Sequence, residues 1–318
     1  MDEIAVLGGS GSVGFGVVNA LIDKKYQPKV MVRDINQFKS LFDDEIPGPI
    51  TAIQGDLDSN HAIAKVCEYA DTIFICFNTD YRYWSDKMTA WVSKIGDLAA
   101  NLQAKVIFPT NMYNFGTTTA SPINEEEEQN ATTQLGKLRI AIEQKLVKSA
   151  LTGSIVSLVR LPRLFGPASF DYLIEPLFYA ASQNKSCTWY GDLNNPMDLM
   201  YNMDAGKILV NVAESHHAND AMLHVSGYSN LNPEKFINEI YTESKSTVSI
   251  PTKLMKSWKI AFKSIINTNF DLFSEVLYQF NSPYLLDDTK YKQLIGEIQR
   301  TPLIEAIKKT IEWYNKRQ

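Results

Sequence analysis

Residues 4–14 read Ile-Ala-Val-Leu-Gly-Gly-Ser-Gly-Ser-Val-Gly, an apolar segment that runs directly into a glycine-rich turn. The spacing fits the dinucleotide-binding pattern G-x-G-x-x-G and its variant G-x-x-G-x-x-G. In this pattern Gly9 permits a tight turn, Gly11 lets a pyrophosphate approach the backbone, and Gly14 lets the next helix pack closely. The predicted phosphate-binding turn comprises Gly8, Gly9, Ser10, Gly11, Ser12, Val13 and Gly14.

The segments around this turn favour a cofactor site over a merely structural turn. A β-branched strand precedes it, an amphipathic helix over about Ser12–Lys25 follows it, and a strand over Lys29–Arg33 closes a βαβ unit. Such a helix points its positive N-terminus at bound phosphates.

Composition describes an ordinary globular chain. It has 318 residues, of which 45% are hydrophobic and 21% charged, enough for one large domain or two coupled ones. The formal net charge of −5 argues against a nucleic-acid partner, because no basic stripe is available to offset phosphate charge.

The cysteines and the chain start indicate a reducing, aqueous compartment. Cys67, Cys76 and Cys187 are widely spaced, which is typical of reduced core thiols and not of a disulfide frame or a metal site. The first strand begins near residue 3, leaving no room for a signal peptide, and no apolar run approaches the ~18 residues of a membrane helix. We expect a cytoplasmic protein without a membrane partner.

Strands and helices alternate through the first half of the chain, which predicts an α/β fold with a doubly wound, Rossmann-type parallel sheet. The predicted strands are Glu3–Leu7, Lys29–Arg33, Ile50–Gln54, Thr72–Phe77, Lys105–Pro109 and Ser154–Arg160, with a later strand at Ala221–Val225. Further helices are predicted at Ser59–Tyr69, Asp86–Leu102, Thr132–Ala150, Trp258–Phe280 and Thr301–Tyr314.

The change of pattern near residue 162 predicts a smaller, mostly helical substrate region. The dinucleotide-binding domain is expected over 1–162, rejoined by about 200–228. The substrate-binding region is expected over 163–199 and 229–318.

The ordered motifs resemble the short-chain dehydrogenase/reductase superfamily in its extended form, the group that includes nucleotide-sugar epimerases and dehydratases. The resemblance spans nearly the whole chain. It rests on the glycine turn, Gly55-Asp56-Leu57, Phe77-Asn78-Thr79, residues 108–116, residues 160–167, Gly191-Asp192 and Tyr201-Asn202-Met203-Asp204.

The resemblance implies cofactor roles by position. Asp56 would bond the adenine amine and Leu57 would stack on the ring, although Asp56 could also cap the helix that begins near Ser59. Phe77 and Asn78 would lie along the ribose and nicotinamide, and Pro162 would lie near the carboxamide.

Cofactor choice depends on the end of the second strand. Arg33 lies there, and a guanidinium suits the 2′-phosphate of NADP(H). Asp34 follows it, and a carboxylate suits the ribose hydroxyl of NAD(H). NADP(H) is favoured; NAD(H) or a simple surface Arg33–Asp34 pair are the alternatives.

At the positions that match the catalytic residues of the superfamily, this chain has residues of other types. The resemblance implies a Ser or Thr after the fifth strand and Tyr-x-x-x-Lys on the next helix; here Asn111, preceded by Thr110, Leu135 and Arg139 occupy these positions. Leucine carries no proton, and arginine is effectively always charged, although it could still bind the ribose hydroxyls.

Tyr113 is the nearest replacement acid. We hypothesise that it exchanges the proton, with Thr110 or Asn111 orienting the carbonyl and the cations Lys137 and Arg139 lowering the phenol pKa. A packed loop aromatic is the alternative.

The predicted substrate side departs from the nucleotide-sugar pattern. The usual Arg-Asp pair before Tyr201 reads Met197-Asp198, which disfavours a diphosphate, and Arg163 replaces the usual asparagine. Arg163 could bind a carboxylate or phosphate or form a structural ion pair. Tyr81, followed by Tyr83 and Trp84, could form the floor of an apolar pocket or pack under its loop.

Three functions remain open. The first is an NADP(H)-dependent oxidoreductase acting on a small carbonyl or alcohol. The second is a catalytically silent NAD(P)(H) sensor, and the third is an NAD-dependent sugar epimerase or dehydratase. By analogy with the superfamily, the helices Asp86–Leu102 and Thr132–Ala150 could form a homodimer.

Overall fold

The computed structural model describes residues 1–43, 45–117, 121–151, 153–248, 252–255 and 274–317. Most of the helical pattern predicted over Trp258–Phe280 lies outside these residues. Within them, no helix is both long and apolar enough to span a membrane.

Twelve strands and ten helices organise the described residues. The strands are β1 Ile4–Leu7, β2 Lys29–Val32, β3 Thr51–Gln54, β4 Thr72–Ile75, β5 Lys105–Thr110, β6 Ile155–Arg160, β7 Arg163–Phe165, β8 Cys187–Trp189, β9 Met197–Tyr201, β10 Met222–His224, β11 Tyr228–Leu231 and β12 Thr252–Leu254. The helices are α1 Ser12–Asp23, α2 Ile35–Ser40, α3 Asn60–Val66, α4 Thr89–Leu102, α5 Gln134–Ala150, α6 Glu175–Ser182, α7 Asn202–Glu214, α8 Pro233–Glu243, α9 Thr289–Leu294 and α10 Leu303–Asn315.

Seven parallel strands form the central sheet, in the order β10-β6-β5-β4-β1-β2-β3. Strands β1 and β4 are buried along their whole length, because helices cover both faces of the sheet. The predicted doubly wound α/β fold is therefore confirmed. The strand predicted over Thr72–Phe77 ends earlier, at Ile75, and the residues after it line a cleft.

Helices α1 and α7 are in backbone contact across one face of this sheet. A Cβ on Gly206 would lie 2.1 Å from the carbonyl carbon of Gly16, and a Cβ on Gly16 would lie 2.1 Å from the oxygen of Asn202. The Asn202 amide donates to the carbonyls of Ser12 at 3.0 Å and Pro167 at 2.5 Å. The start of α7 thus holds the glycine turn against the chain that follows β7.

The region after β6 builds a second core from smaller sheets and helices. Strand β9 pairs with β7 and β11, and β8 pairs with β12. The Phe165 ring packs on Phe178, Phe236 and Tyr201 at centroid distances of 5.8, 5.5 and 5.7 Å. Strand β10 returns to the central sheet beside β6, and the domain limits at 162, 199 and 229 stay predictions.

The two helices predicted to form a dimer pack against each other. A Cβ on Gly96 of α4 would lie 2.4 Å from the hydroxyl of Ser149 on α5. A π-helical turn at Trp84–Met88 precedes α4, so the predicted Asp86–Leu102 helix is divided in two. Homodimer formation through these helices stays a prediction.

Candidate functional site

A cleft of about 720 Å³ opens at the carboxyl ends of the parallel strands. The strand order reverses between β1 and β4, which is where open α/β sheets bind their ligands. The cleft is lined by the residues that directly follow six strands of the sheet: Gly8, Arg33, Gly55, Cys76, Asn111 and Leu161.

Three glycines of the turn are required by the protein's own packing. Gly8 has a φ of +92°, and a Cβ on it would lie 2.7 Å from the backbone nitrogen of Phe77. A Cβ on Gly9 would lie 2.2 Å from Val30, and one on Gly14 would lie 2.1 Å from the Gly8 oxygen. Neither Gly9 nor Gly14 lines the cleft, so these two shape the turn from behind.

Gly11 is different, because its own protein leaves room for a side chain. The nearest atom to an added Cβ would be the Gly8 oxygen at 3.5 Å, an ordinary contact. Gly11 lines the cleft and is the N-cap of α1, where it offers no side chain to the first amides of the helix. A missing side chain at this position leaves the helix N-terminus open to an anionic group in the cleft.

A loop from the second core covers the turn. The Phe170 amide donates to the Ser12 hydroxyl at 2.9 Å. Ser10, Ser12, Val13 and Phe170 all line the cleft, so the predicted phosphate turn and this loop share one boundary.

The end of β2 separates the roles of its two charged residues. Arg33 is exposed and lines the cleft together with Gln37. One Asp34 oxygen caps α2 by accepting the amides of Asn36 at 2.8 Å and Gln37 at 3.0 Å. Asp34 does not line the cleft, so the guanidinium is the charge presented to a ligand there.

Asp56 and Leu57 line the cleft after β3, and their adenine contacts stay a prediction. Asp56 does not cap α3, however. Its carboxylate accepts the Asp58 amide at 2.8 Å, and the Ser59 hydroxyl caps the helix by accepting the Ala62 amide at 3.2 Å. The capping alternative for Asp56 is therefore wrong.

Phe77, Asn78 and Pro162 also line the cleft. The Phe77 ring packs edge-on against Trp91 at a centroid distance of 6.0 Å. The Asn78 side-chain oxygen accepts the Trp84 indole N–H at 3.1 Å, so this asparagine also anchors the turn after β4.

Helix α5 presents an arginine to the cleft but no proton carrier. Leu135 is fully buried in the core and does not line the cleft. Arg139 does line it, with only 4% of the residue exposed, and its guanidinium carbon lies 4.3 Å from the centre of the Trp84 ring. Burial lowers the pKa of Arg139.

Tyr113 forms a pair with Tyr81 inside the cleft. Their hydroxyl oxygens lie 2.9 Å apart, and the Tyr113 ring stacks on Trp84 at a centroid distance of 6.2 Å. Burial, together with the neighbouring Tyr113 phenol, raises the pKa of Tyr81 well above its ordinary value. Lys137 lies on α5 as predicted, but it is exposed and does not line the cleft; its role towards Tyr113 stays a prediction.

Of Thr110 and Asn111, which were both predicted to orient a carbonyl, only one has a hydrogen-bond donor available to a ligand in the cleft. The Thr110 hydroxyl donates to Glu143, so its hydrogen points away from a cleft ligand. The Asn111 side-chain oxygen accepts the Tyr113 amide at 3.2 Å, and its NH₂ donates to no residue of the described chain. Asn111 is therefore the donor that could orient a carbonyl, and Thr110 is not.

Arg163 lines the cleft and is tied to one carboxylate. Its Nη1 donates to Asp171 at 2.9 Å, and its guanidinium carbon lies 4.8 Å from the centre of the Phe280 ring. Its Nε and Nη2 are buried and have no hydrogen-bond partner among the described residues.

Two predicted substrate residues lie away from the cleft. Met197 and Tyr201 are 5% and 3% exposed and do not line it. The reason is the position of β9, which lies between β7 and β11 and buries its side chains in the second core. Asp198, on the same strand, accepts the Gly227 amide at 2.8 Å.

A buried polar network under the cleft was not predicted. Arg160 donates to Glu143 at 3.2 and 3.1 Å and to His224 Nε2 at 3.3 Å. Because His224 accepts there, its Nδ1 carries the proton donated to the Ile123 carbonyl at 3.0 Å. Glu143 also accepts from Asn114 at 2.8 Å. An arginine inside a predicted buried strand was the available signal, since buried arginines need a partner.

This network makes His224 a source of acid sensitivity. Burial and the Arg160 charge lower the pKa of His224 to about 3, whereas an unfolded histidine titrates near 6.5. The unfolded state therefore binds the extra proton, and stability is lost as pH falls below about 6.5, by up to ~1.4 kcal/mol per pH unit. Urea unfolding of the wild type and His224→Gln, whose amide can accept from Arg160, should show the shallower pH slope in the variant. If the free energy of unfolding has the same pH slope in both proteins between pH 6.5 and 4, His224 is not the source of the acid sensitivity.

The chain matches the family model described as "NAD dependent epimerase/dehydratase family" over residues 4–225. The chain belongs to that family. The match confirms the resemblance to the extended short-chain dehydrogenases/reductases. No curated protein matches the chain by sequence.

Solved structures of the same fold cover nearly the whole chain. UDP-glucuronic acid 4-epimerase from Bacillus cereus, in complex with NAD, is 13% identical with a TM-score of 0.80, covering 99% of both chains. dTDP-glucose 4,6-dehydratase from Bacillus anthracis, in complex with NAD, is 15% identical with a TM-score of 0.79, covering 100% of this chain and 98% of that one. UDP-glucose 4-epimerase from Thermotoga maritima, with UDP-glucose, is 16% identical with a TM-score of 0.77, covering 99% of both.

Proposed function

We propose that the protein is an NADP(H)-dependent oxidoreductase that reduces a small carbonyl compound, or oxidises the alcohol, with Tyr113 as the proton donor. The observation that carries the proposal is the Tyr113–Tyr81 hydroxyl pair, because it lines the same cleft as the glycine turn. Family membership and the NAD bound to structures of the same fold support a nicotinamide cofactor.

The cleft fits such a cofactor at several places. The open N-terminus of α1 at Gly11 suits the pyrophosphate, and Asp56 and Leu57 suit the adenine. The exposed Arg33 suits a 2′-phosphate, because Asp34 is engaged in capping α2. A bound nicotinamide supplies the hydride.

The chain's own residues then handle the proton. The Tyr113 hydroxyl would give its proton to the substrate oxygen, and the Tyr81 hydroxyl at 2.9 Å is positioned to replace it. The NH₂ of Asn111, which has no partner among the described residues, would hold the same oxygen, since the side-chain carbonyl accepts the Tyr113 amide. Together they perform the work that Tyr-x-x-x-Lys performs elsewhere in the superfamily.

Titration of the purified protein with NADPH and NADH tests the cofactor choice. Arg33→Ala should weaken NADPH binding by about 10- to 100-fold, the range of a lost hydrogen bond to a charged group, and leave NADH binding unchanged. Arg82→Ala is the matched control, because Arg82 is exposed, is paired with Asp80 and does not itself line the cleft. Tighter NADH binding in the wild type would contradict the NADP(H) preference and favour the epimerase or dehydratase alternative.

Each of the two alternative functions is favoured by one observation. A catalytically silent sensor is favoured by the buried Leu135 at the tyrosine position. An NAD-dependent sugar epimerase or dehydratase is favoured by the family and by the sugar-nucleotide enzymes of the same fold. Oxidation of NADPH by a carbonyl panel excludes the sensor, and cofactor that stays bound through purification favours the epimerase.

A further inference from the structure

We propose that the substrate is a small carbonyl compound that carries a carboxylate, held in the cleft by Arg139 and Arg163 beside the tyrosine pair. The inference rests on the proposed function and names its substrate class. Both guanidiniums line the cleft and interact electrostatically with Tyr81 and Tyr113.

Arg139 is a buried cation whose nearby carboxylate, Glu143, is already paired with Arg160. It makes no hydrogen bond or ion pair with any residue in the part of the chain that the structure describes, apart from ring contacts with Trp84 and Phe108 at 4.3 and 5.6 Å. Glu143, one turn further along α5, is engaged by Arg160, Thr110 and Asn114. A buried guanidinium of this kind is costly unless an anion arrives to pair with it.

Among the described residues, the charged groups around the tyrosine pair are three arginines and two carboxylates: Arg139, Arg160, Arg163, Glu143 and Asp171. Arg160 pairs with Glu143, and Arg163 pairs with Asp171. Arg139 is left, with only 4% of its surface exposed. Because the excess is a single charge, a monoanion balances it, whereas a diphosphate would bring more negative charge than these residues offset.

Arg163 offers the geometry that recognises a carboxylate. Its Nη1 is used by Asp171, whereas the buried Nε and Nη2 have no partner among the described residues. These two nitrogens form one edge of the guanidinium, and two parallel N–H groups match the two oxygens of a carboxylate. Phe280, 4.8 Å from the guanidinium carbon, covers this side chain.

A bound carboxylate would leave the neighbouring carbonyl beside the tyrosine pair. The carbonyl carbon then gains a hydride at the expense of a reduced nicotinamide, the C=O π pair takes the proton of Tyr113, and a hydroxy acid results. Proton replacement passes through Tyr81. The charges balance, because the neutral carbonyl gains one hydride and one proton while the carboxylate keeps its single negative charge.

Calorimetric titration of the protein saturated with NADP⁺ tests the site without turnover. The probes are 2-oxohexanoate, the uncharged 2-hexanone, and dihydroxyacetone phosphate. We expect 2-oxohexanoate to bind most tightly, and Arg139→Met and Arg163→Met each to weaken it by about 10- to 100-fold with little effect on 2-hexanone. Arg82→Met, at a paired surface arginine, should change nothing.

The outcomes separate the two proposals. Equal binding of 2-oxohexanoate and 2-hexanone, or unchanged binding in both cleft variants, overturns the carboxylate site even when NADPH-dependent turnover is found. Preference for the phosphate probe overturns the carboxylate assignment in favour of a phosphorylated substrate. Failure to bind NADP⁺ overturns the proposed function. Titration of the cofactor-free protein with the same three probes then tests the carboxylate site independently of the cofactor.

A stability measurement adds a readout independent of any ligand. An uncompensated buried charge predicts that Arg139→Met has a Tm no lower than the wild type, since methionine keeps the contact with Trp84 and removes the charge. Arg160→Met, which leaves the buried Glu143 carboxylate without its counter-charge, should lower the Tm. A lowered Tm in both variants would indicate a structural role for Arg139 and contradict the inference.

Discussion

Replacement of Tyr113 by phenylalanine is expected to lower kcat by about 10²- to 10⁴-fold, the usual contribution of a positioned general acid. The ring contacts with Trp84 and Tyr81 stay, so the cleft keeps its shape and only the hydroxyl is lost. NADPH affinity should stay unchanged. Steady-state turnover with the best carbonyl substrate, together with an NADPH titration, measures both quantities.

Two further tyrosine variants control this experiment. Tyr81→Phe removes the partner that replaces the proton, and we expect a smaller loss than for Tyr113→Phe. Tyr69→Phe removes a phenol that is 75% exposed and does not line the cleft, and turnover should be unaffected. Undiminished turnover in Tyr113→Phe would contradict the proton-donor role, and a loss confined to Tyr81→Phe would transfer that role to Tyr81.

The sheet and the glycine turn could be predicted because their causes are local. Strand β4 is buried on both faces, so its sequence is continuously apolar. Gly8 has a φ of +92°, a backbone conformation that favours glycine, so glycine marks the position without knowledge of the rest of the fold. The position of Arg33 at the end of β2 could be predicted by counting residues along that strand.

The Tyr81–Tyr113 hydroxyl pair could not be predicted, because it depends on contacts distant in sequence. Tyr81 and Tyr113 follow different strands and meet only because β4 and β5 are neighbours in the sheet. The Arg163–Asp171 pair depends on how the loop after β7 folds back. Neither contact has a periodicity or motif that marks it.

Met197 and Tyr201 were predicted to lie at the substrate site but lie outside the cleft. Their substrate role was transferred from a motif position, which assumes that the strand presents the same face to the cleft. Strand β9 instead lies inside its three-stranded sheet, and apolar packing around Phe165 takes up Tyr201. Residue types that suit a core are buried there, whatever the motif position implies.

Removal of the Glu143 carboxylate is expected to destabilise the protein by about 3–5 kcal/mol, because Glu143→Ala leaves the fully buried Arg160 without its counter-charge. The Thr110 hydroxyl and the Asn114 amide lose their acceptor in the same variant. Urea unfolding followed by tryptophan fluorescence measures the loss.

Glu143→Gln separates charge from hydrogen bonding, since its amide oxygen can still accept one donor. We expect it to be nearly as damaging as Glu143→Ala, because Arg160 stays unbalanced. The double variant Glu143→Leu/Arg160→Met removes both charges and should recover most of the stability, as replacement of whole buried ion pairs often does. A double variant no more stable than Glu143→Ala would mean that hydrogen bonds from Thr110 and Asn114, and not the paired charges, hold the cleft floor together.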